Sequence, residues 1–220
     1  MTKLKAVLFD MDGTLVDSIP FHQSSWVTYL KTHGIVLNPE QFQAQNHGNI
    51  DTMIKHFFGN DLSPEKVIQL GNEKEELYRN SYRKHIREMD GLTDFLSTLK
   101  KQDIQMALAT MGDLANISFI LDSLQIRSFF QVITSGQEII KGKPDGEIYQ
   151  LTLRKMNLKN SDCLVIEDSA DGVLAAGNAG IKVIGITTSL SAEELRNLGC
   201  FHTISNYRDL ALNFLDHFFQ

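Results

Sequence analysis

The stretch Lys5-Ala6-Val7-Leu8-Phe9-Asp10-Met11-Asp12-Gly13-Thr14-Leu15 decides the fold class. Residues 5–9 form a short apolar run without alternation, the pattern of a strand buried on both faces. The run stops at two aspartates spaced i, i+2, and Gly13 then permits a tight turn. At a strand end that spacing lets both side chains project toward one region. Carboxylates that close repel one another unless a cation or a shared proton relieves them. Mg²⁺ is the natural cation, because it takes a few carboxylate oxygens, waters and substrate phosphate oxygens. Two other readings compete: an ordinary turn, and the start of a calcium loop. The calcium loop would need further ligands and a Glu at position twelve.

Outward from this stretch the same kind of run recurs at residues 105–109, 131–134, 162–166 and 182–186. Between these runs lie amphipathic segments of helical length, at 92–101, 114–124, 146–156 and 170–179. Strands alternating with helices predict an α/β fold with a doubly wound parallel sheet, its right-handed crossovers covering both faces. Residues 16–88 break the rhythm with helical pattern alone. Trp26, Tyr29 and Leu30 share one face, and Val67, Leu70, Lys74 and Leu77 roughly share another. Asn38-Pro39 and Ser63-Pro64 read as helix starts, a cap followed by proline. The expectation is a core domain of residues 1–15 and 89–220, interrupted by an all-helical domain at 16–88. Such an insert would sit over the carboxyl end of the sheet, where open α/β sheets bind ligands. The apolar face at 210–219 is expected to pack on the core.

Composition narrows the function classes. A net charge of −6 argues against a broad basic face for nucleic acid, though not against a small anionic ligand. Two cysteines, Cys163 and Cys200, build no disulfide framework, which points to a reducing, cytoplasmic compartment. No apolar run is long enough for a signal peptide or a membrane span. The segment from Gly136 to Gly142-Lys143 imitates a P-loop but has the wrong spacing and Pro144 where Ser or Thr is required. No Gly-x-Gly-x-x-Gly follows a strand, and the histidines show no zinc-binding spacing.

Chemistry-bearing residues stand at the ends of the other runs. Glu167 and Asp168 close the run at 162–166 and precede Ser169, a good helix cap. Parallel strands end on one edge, so this pair is expected to converge with Asp10 and Asp12, which four carboxylates cannot do without metal. Thr110 ends the run at 105–109; its hydroxyl and the amides of Met111 and Gly112 are suited to phosphate oxygens. Lys143 would bring positive charge to the same place.

Taken in order, these motifs resemble the haloacid dehalogenase-like hydrolase superfamily, in its phosphatase and β-phosphoglucomutase-like branch. Asp10-Met11-Asp12-Gly13-Thr14-Leu15 matches the first motif, Thr110 the second, Lys143-Pro144 the third, and Glu167-Asp168-Ser169 with Gly172 the fourth. The resemblance covers essentially the whole chain. It implies a Rossmann-like core with a small helical cap. It also implies Mg²⁺ held by the Asp10 carboxylate, the Asp12 backbone carbonyl and Asp168, with Glu167 directly or through water. Asp10 would be the nucleophile and Asp12 the general acid and base, while Thr110, Met111, Gly112 and Lys143 bind the phosphoryl group. Cap closure would exclude bulk water. His22 and Trp26 lie where relatives place cap residues facing the substrate. The mutases grip a second phosphate with Ser-Lys-type residues after the second motif and an arginine in the cap. Here those places hold Gly112-Asp113 and Asp51. At roughly 4 Å an aspartate in place of a cation swings the interaction by several kcal/mol. The expectation is therefore a phosphatase acting on a small phosphorylated metabolite, a sugar or polyol phosphate. A β-phosphoglucomutase and a phospho-accepting signalling module are the alternatives. A monomer is expected, with oligomers left open.

Overall fold

The computed structural model describes residues 4–46 and 48–210. The C-terminal apolar face anticipated at 210–219 falls outside them, Leu210 apart. The chain divides into two compact units, Met1–Asp17 with Arg87–Gln220, and Ser18–Ile86. The second is two residues narrower at each end than the helical insert read from the sequence. Val16 and Glu88 pair across an antiparallel bridge, and Met89 N donates to Leu15 O at 2.8 Å, so both residues belong to the first unit.

The first unit is built on a six-stranded parallel sheet: β1 Ala6–Phe9, β2 Gln105–Thr110, β3 Val132–Ser135, β4 Cys163–Glu167, β5 Lys182–Ile186 and β6 His202–Ile204. Their order is β3-β2-β1-β4-β5-β6. Five of the six follow the apolar runs, as strands buried on both faces must. The sixth carries no apolar run, because His202-Thr203-Ile204 is short and mostly polar at the sheet edge.

Topology, more than any one strand, positions the chemistry. The chain winds outward from β1 to β3 on one side and from β4 to β6 on the other, so the sheet reverses its winding between β1 and β4. Open α/β sheets form a ligand crevice at such a reversal, beyond the carboxyl ends of the strands. Phe9 is in register with Leu108 of β2 and Ile166 of β4, so Asp10 and Glu167 emerge side by side. Asp10 N donates to Ile166 O at 3.1 Å, which locks that junction. Behind it Phe9 is fully buried and meets Phe95 and Phe130 edge-on at 6.3 and 5.9 Å. This aromatic packing anchors the strand that presents Asp10.

Within Ser18–Ile86 the described secondary structure is helical throughout: α1 Ile19–Thr32, α2 Pro39–Gln43, α3 Ile50–Phe58 and α4 Pro64–Tyr82. Asn38 and Ser63 cap α2 and α4, accepting from Gln41 N at 2.7 Å and Lys66 N at 3.3 Å. Trp26, Tyr29, Leu30, Phe42, Met53, Ile54, Val67 and Leu70 form this unit's own core. In the sheet unit, helices follow the strands: α5 Leu92–Lys101, α6 Leu114–Ser123, α7 Glu147–Met156, α8 Ala170–Asn178 and α9 Ala192–Asn197. Among the described residues no helix is long and apolar enough to cross a membrane.

Candidate active site

At the carboxyl ends of β1 and β4 the side chains of Asp10, Glu167 and Asp168 converge, one oxygen of each lying within 4.8 Å of the others. All three are buried. Lys143 enters from the loop before α7, and its ammonium donates to Asp10 Oδ1 and to Glu167 Oε1, each at 2.6 Å. That loop is pinned where Ile140 N and Lys141 N donate to Glu147 Oε2 at 3.2 and 2.7 Å.

Glu167 is the most heavily bonded member. Its Oε1 also accepts from the Tyr149 hydroxyl at 3.3 Å, and its Oε2 accepts from Asp168 N, Ser169 N and Ser169 Oγ at 2.8–3.0 Å. These amides belong to the turn that opens α8, where Ser169 caps the helix by accepting from Gly172 N at 3.1 Å. A carboxylate against exposed amides at a helix start is held by both hydrogen bonds and the helix dipole. Direct ligation of a cation by Glu167 would displace one of these bonds.

Charge is balanced tightly. Burial pushes the Asp10 carboxyl well above the usual carboxylate range; Lys143 opposes that push, and Glu167 and Asp168 add to it. Burial alone would lower Lys143, yet the charges of Asp10 and Glu167 outweigh it and hold the ammonium above its ordinary value. Burial and then the Glu167 charge push Asp168 up to about 7. Three buried carboxylates share one ammonium, which leaves negative charge to be neutralised. A small hard cation with oxygen ligands fits this donor set.

Other sequence-derived residues fall around the same edge. Thr110 is buried, and its Oγ1 accepts from Gly112 N at 3.0 Å, which leaves its own hydrogen to be directed elsewhere. A Cβ added at Gly112 would stand 3.4 Å from that oxygen and 3.9 Å from Asp12 Oδ2, so the Thr110-Met111-Gly112 turn lies against Asp12. Asp12 contributes no side-chain oxygen to the carboxylate cluster. Asp113 caps α6, its carboxylate accepting from Asn116 N at 2.6 Å. Asp51 sits in the first turn of α3.

His22 and Trp26 stand on α1 in the helical unit. Trp26 is buried in its core, whereas His22 is half-buried and stacks on Tyr78 with ring centroids 3.6 Å apart. Lys74 lies between them, almost fully buried. Its Nζ is 3.2 Å from His22 Nδ1, 2.8 Å from Glu75 Oε1 and 5.1 Å from the Trp26 ring.

Three residues at the sheet edge escaped the sequence reading. Tyr149 looks like one more core residue of an amphipathic helix; its ring lies 5.1 Å from Lys143 Nζ. Thr188 donates to Gly13 O at 2.5 Å, and Ser189 donates to Asp168 Oδ2. The available signal was their position: hydroxyl residues directly after the fifth buried run, at the edge where the acids gather.

Comparison with known proteins agrees with this arrangement. The family profile described as haloacid dehalogenase-like hydrolase matches residues 7–186. Hexitol phosphatase A of Escherichia coli is 28% identical over 197 residues, covering 89% of each chain. A haloacid dehalogenase-type hydrolase of family IA from Entamoeba histolytica superposes with a TM-score of 0.89 at 28% identity, over 98% of this chain and 99% of that one. A protein from Bacteroides vulgatus described as a putative beta-phosphoglucomutase superposes with a TM-score of 0.77 at 27% identity, over 98% and 89%. With more than half its length matched and the acids gathered where the sheet reverses, the chain belongs to the haloacid dehalogenase-like hydrolases.

Proposed function

We propose that this protein is a Mg²⁺-dependent phosphatase that hydrolyses a small phosphomonoester, a sugar or polyol phosphate, through a phosphoryl group carried on Asp10. The observation that carries the reading is the Lys143 ammonium bridging Asp10 and Glu167 beside Asp168. It opposes the upward push that burial gives the nucleophile's carboxyl and brings positive charge to a transferring phosphoryl group.

Asp10, Asp168 and the Asp12 backbone carbonyl would hold the cation, with Glu167 acting through Lys143 and bound water. Mg²⁺ bound there would supply the charge that lets the carboxylates be ionised together and would stabilise negative charge on the phosphoryl oxygens. In the first step an Asp10 oxygen attacks phosphorus, the bond to the leaving oxygen breaks, and Asp12 gives that oxygen its proton. In the second step water attacks phosphorus, Asp12 takes the water's proton, and the bond between phosphorus and Asp10 breaks. One difficult displacement becomes two easier ones. Thr110 and the amides of Met111 and Gly112 would donate to the phosphoryl oxygens.

The substrate class is supported by the likeness to a hexitol phosphatase. The capping aspartate Asp113, where a mutase places a cation, speaks against a second phosphate. The test incubates purified protein with Mg²⁺ and a panel of sugar, polyol and glycolate phosphates. Inorganic phosphate and phosphosugar isomers are both measured, with Asp10→Asn as the blank. Phosphate release that disappears in the variant is the expected result. Isomer formation without release would make the protein a mutase.

A further inference from the structure

We propose that the adjacent hydroxyls of Thr188 and Ser189 position the cation site from the far side of the sheet edge, Ser189 by fixing the Asp168 carboxylate and Thr188 by fixing the turn at Gly13. The inference rests on reading Asp168 as a residue that holds the cation.

Register brings the two segments together. Gly185 of β5 is paired with Glu167 of β4, so the turn after β5 runs beside the Glu167-Asp168-Ser169 turn. Serine and threonine in turns ordinarily bond their own backbone a few residues away. These two do not. Ser189 reaches Asp168, 21 residues back, and Thr188 reaches the carbonyl of Gly13, 175 residues back. A hydroxyl has one hydrogen to donate, and each is committed to the acidic edge.

Asp168 is confined on three sides as a result. Ser189 donates to Oδ2, Thr14 Oγ1 lies 3.4 Å from Oδ1, and the carboxylate rests on the bare α-carbon of Gly13. A Cβ at Gly13 would stand 2.0 Å from Oδ2. Of the two oxygens, Oδ1 carries the weaker hydroxyl contact and is the freer to ligate. A metal-binding carboxylate oriented in this way by an outer hydrogen bond binds more tightly, and losing such a partner typically costs about 10–100-fold in affinity or activity.

The test compares Ser189→Thr with Ser189→Val, two substitutions of nearly equal shape that differ in the hydroxyl. Mn²⁺ is the probe, titrated into substrate-free protein and followed by its electron paramagnetic resonance signal. The Val variant is expected to bind Mn²⁺ about 10–100-fold more weakly. The Thr variant should stay within about threefold of the parent, and thermal unfolding should show both variants folded at the titration temperature. In phosphate-release assays the Val variant should need correspondingly more Mg²⁺, with much of its lost turnover returning at saturation. Thr188→Val, which leaves Ser189 in place, should weaken Mn²⁺ binding by several-fold. Equal Mn²⁺ affinity in the Thr and Val variants, whether tight or weak, would overturn the proposal. A parent protein that bound no Mn²⁺ would overturn the cation reading and this proposal with it. A parent that bound Mn²⁺ but released no phosphate would remove the phosphatase reading alone.

Discussion

Gly172 stands in the first turn of α8, and a methyl group there tests whether the Glu167 clamp organises the site. A Cβ at this position would lie 1.6 Å from Glu167 Oε1, 1.9 Å from its carboxyl carbon and 2.4 Å from Oε2. Ordinary contact begins at 3.4 Å, so the Oε1 oxygen must retreat by about 1.8 Å. That movement opens the 2.6 Å bond to Lys143 and disturbs the bonds from the amides of Asp168 and Ser169. Breaking a buried ion pair in this way costs roughly 3–5 kcal/mol. In a chain of this size each kcal/mol moves the melting temperature by about 2–4 °C. Gly172→Ala should therefore melt some ~6–20 °C lower. With its anchor on Glu167 lost, the ammonium is no longer fixed against Asp10, and kcat should fall by about 10²–10³-fold, the range for losing one fixed donor to developing charge.

Gly177, five residues further along the same helix, has nothing within 4 Å of its added Cβ. Gly177→Ala should keep full activity and gain about 0.5 kcal/mol, because alanine loses less backbone freedom in a helix. Thermal unfolding and phosphate release on both variants decide the matter. A Gly172→Ala protein with the parent's melting temperature and turnover would refute the reasoning. A lower melting temperature with unchanged turnover would mean that the helix start moves and the carboxylate stays.

Metal-free protein should lose stability as pH rises from about 4 to 7. Asp168 is pushed up to about 7 by burial and the Glu167 charge, against an ordinary value of 3.8, so the folded chain keeps a proton that the unfolded chain has released. The slope is up to about 1.4 kcal/mol per pH unit for each such proton. Asp10 is shifted the same way and adds to the fall, whereas the raised Lys143 acts only in the alkaline range. Urea unfolding in EDTA should show the decline and saturating Mg²⁺ should abolish it; a flat or rising profile in EDTA would contradict the charge balance. In the helical unit, Lys74→Met should lower stability by about 3–5 kcal/mol, since it strips Glu75 of a partner at 2.8 Å in a largely buried place. Urea unfolding of that variant checks the figure, and Lys74→Met with Glu75→Leu should recover most of the loss.

The parts of the site that could be read from the sequence are those in which residue type and strand position speak together. Five strands were legible because parallel strands buried on both faces appear as unbroken apolar runs, and Asp10, Thr110 and Glu167 were legible because each stands at the end of one. The convergence of Asp10 with Glu167 and Asp168 was expected from strand ends sharing one edge, but the adjacency of β4 to β1 that produces it was not legible, since strand order comes from crossovers that no local pattern encodes. Helix α9 was missed although Ser191 and Glu194 form a capping box, a signature the residues do carry. Lys74 falls on the apolar face read from the sequence, and it is buried there, but its partners could not be read, because one of them is contributed by α1, 52 residues away. The same reasoning separates the two layers of the acidic edge. A carboxylate at a strand end has few uses, so its type and position imply its chemistry. A turn hydroxyl has many, and Ser189 acquires a role only when the sheet register sets it against Asp168. The groups that would meet a phosphate are thus announced by the sequence, while the hydroxyls and the phenol that orient them emerge only from the packing of β5 and α7 against that edge.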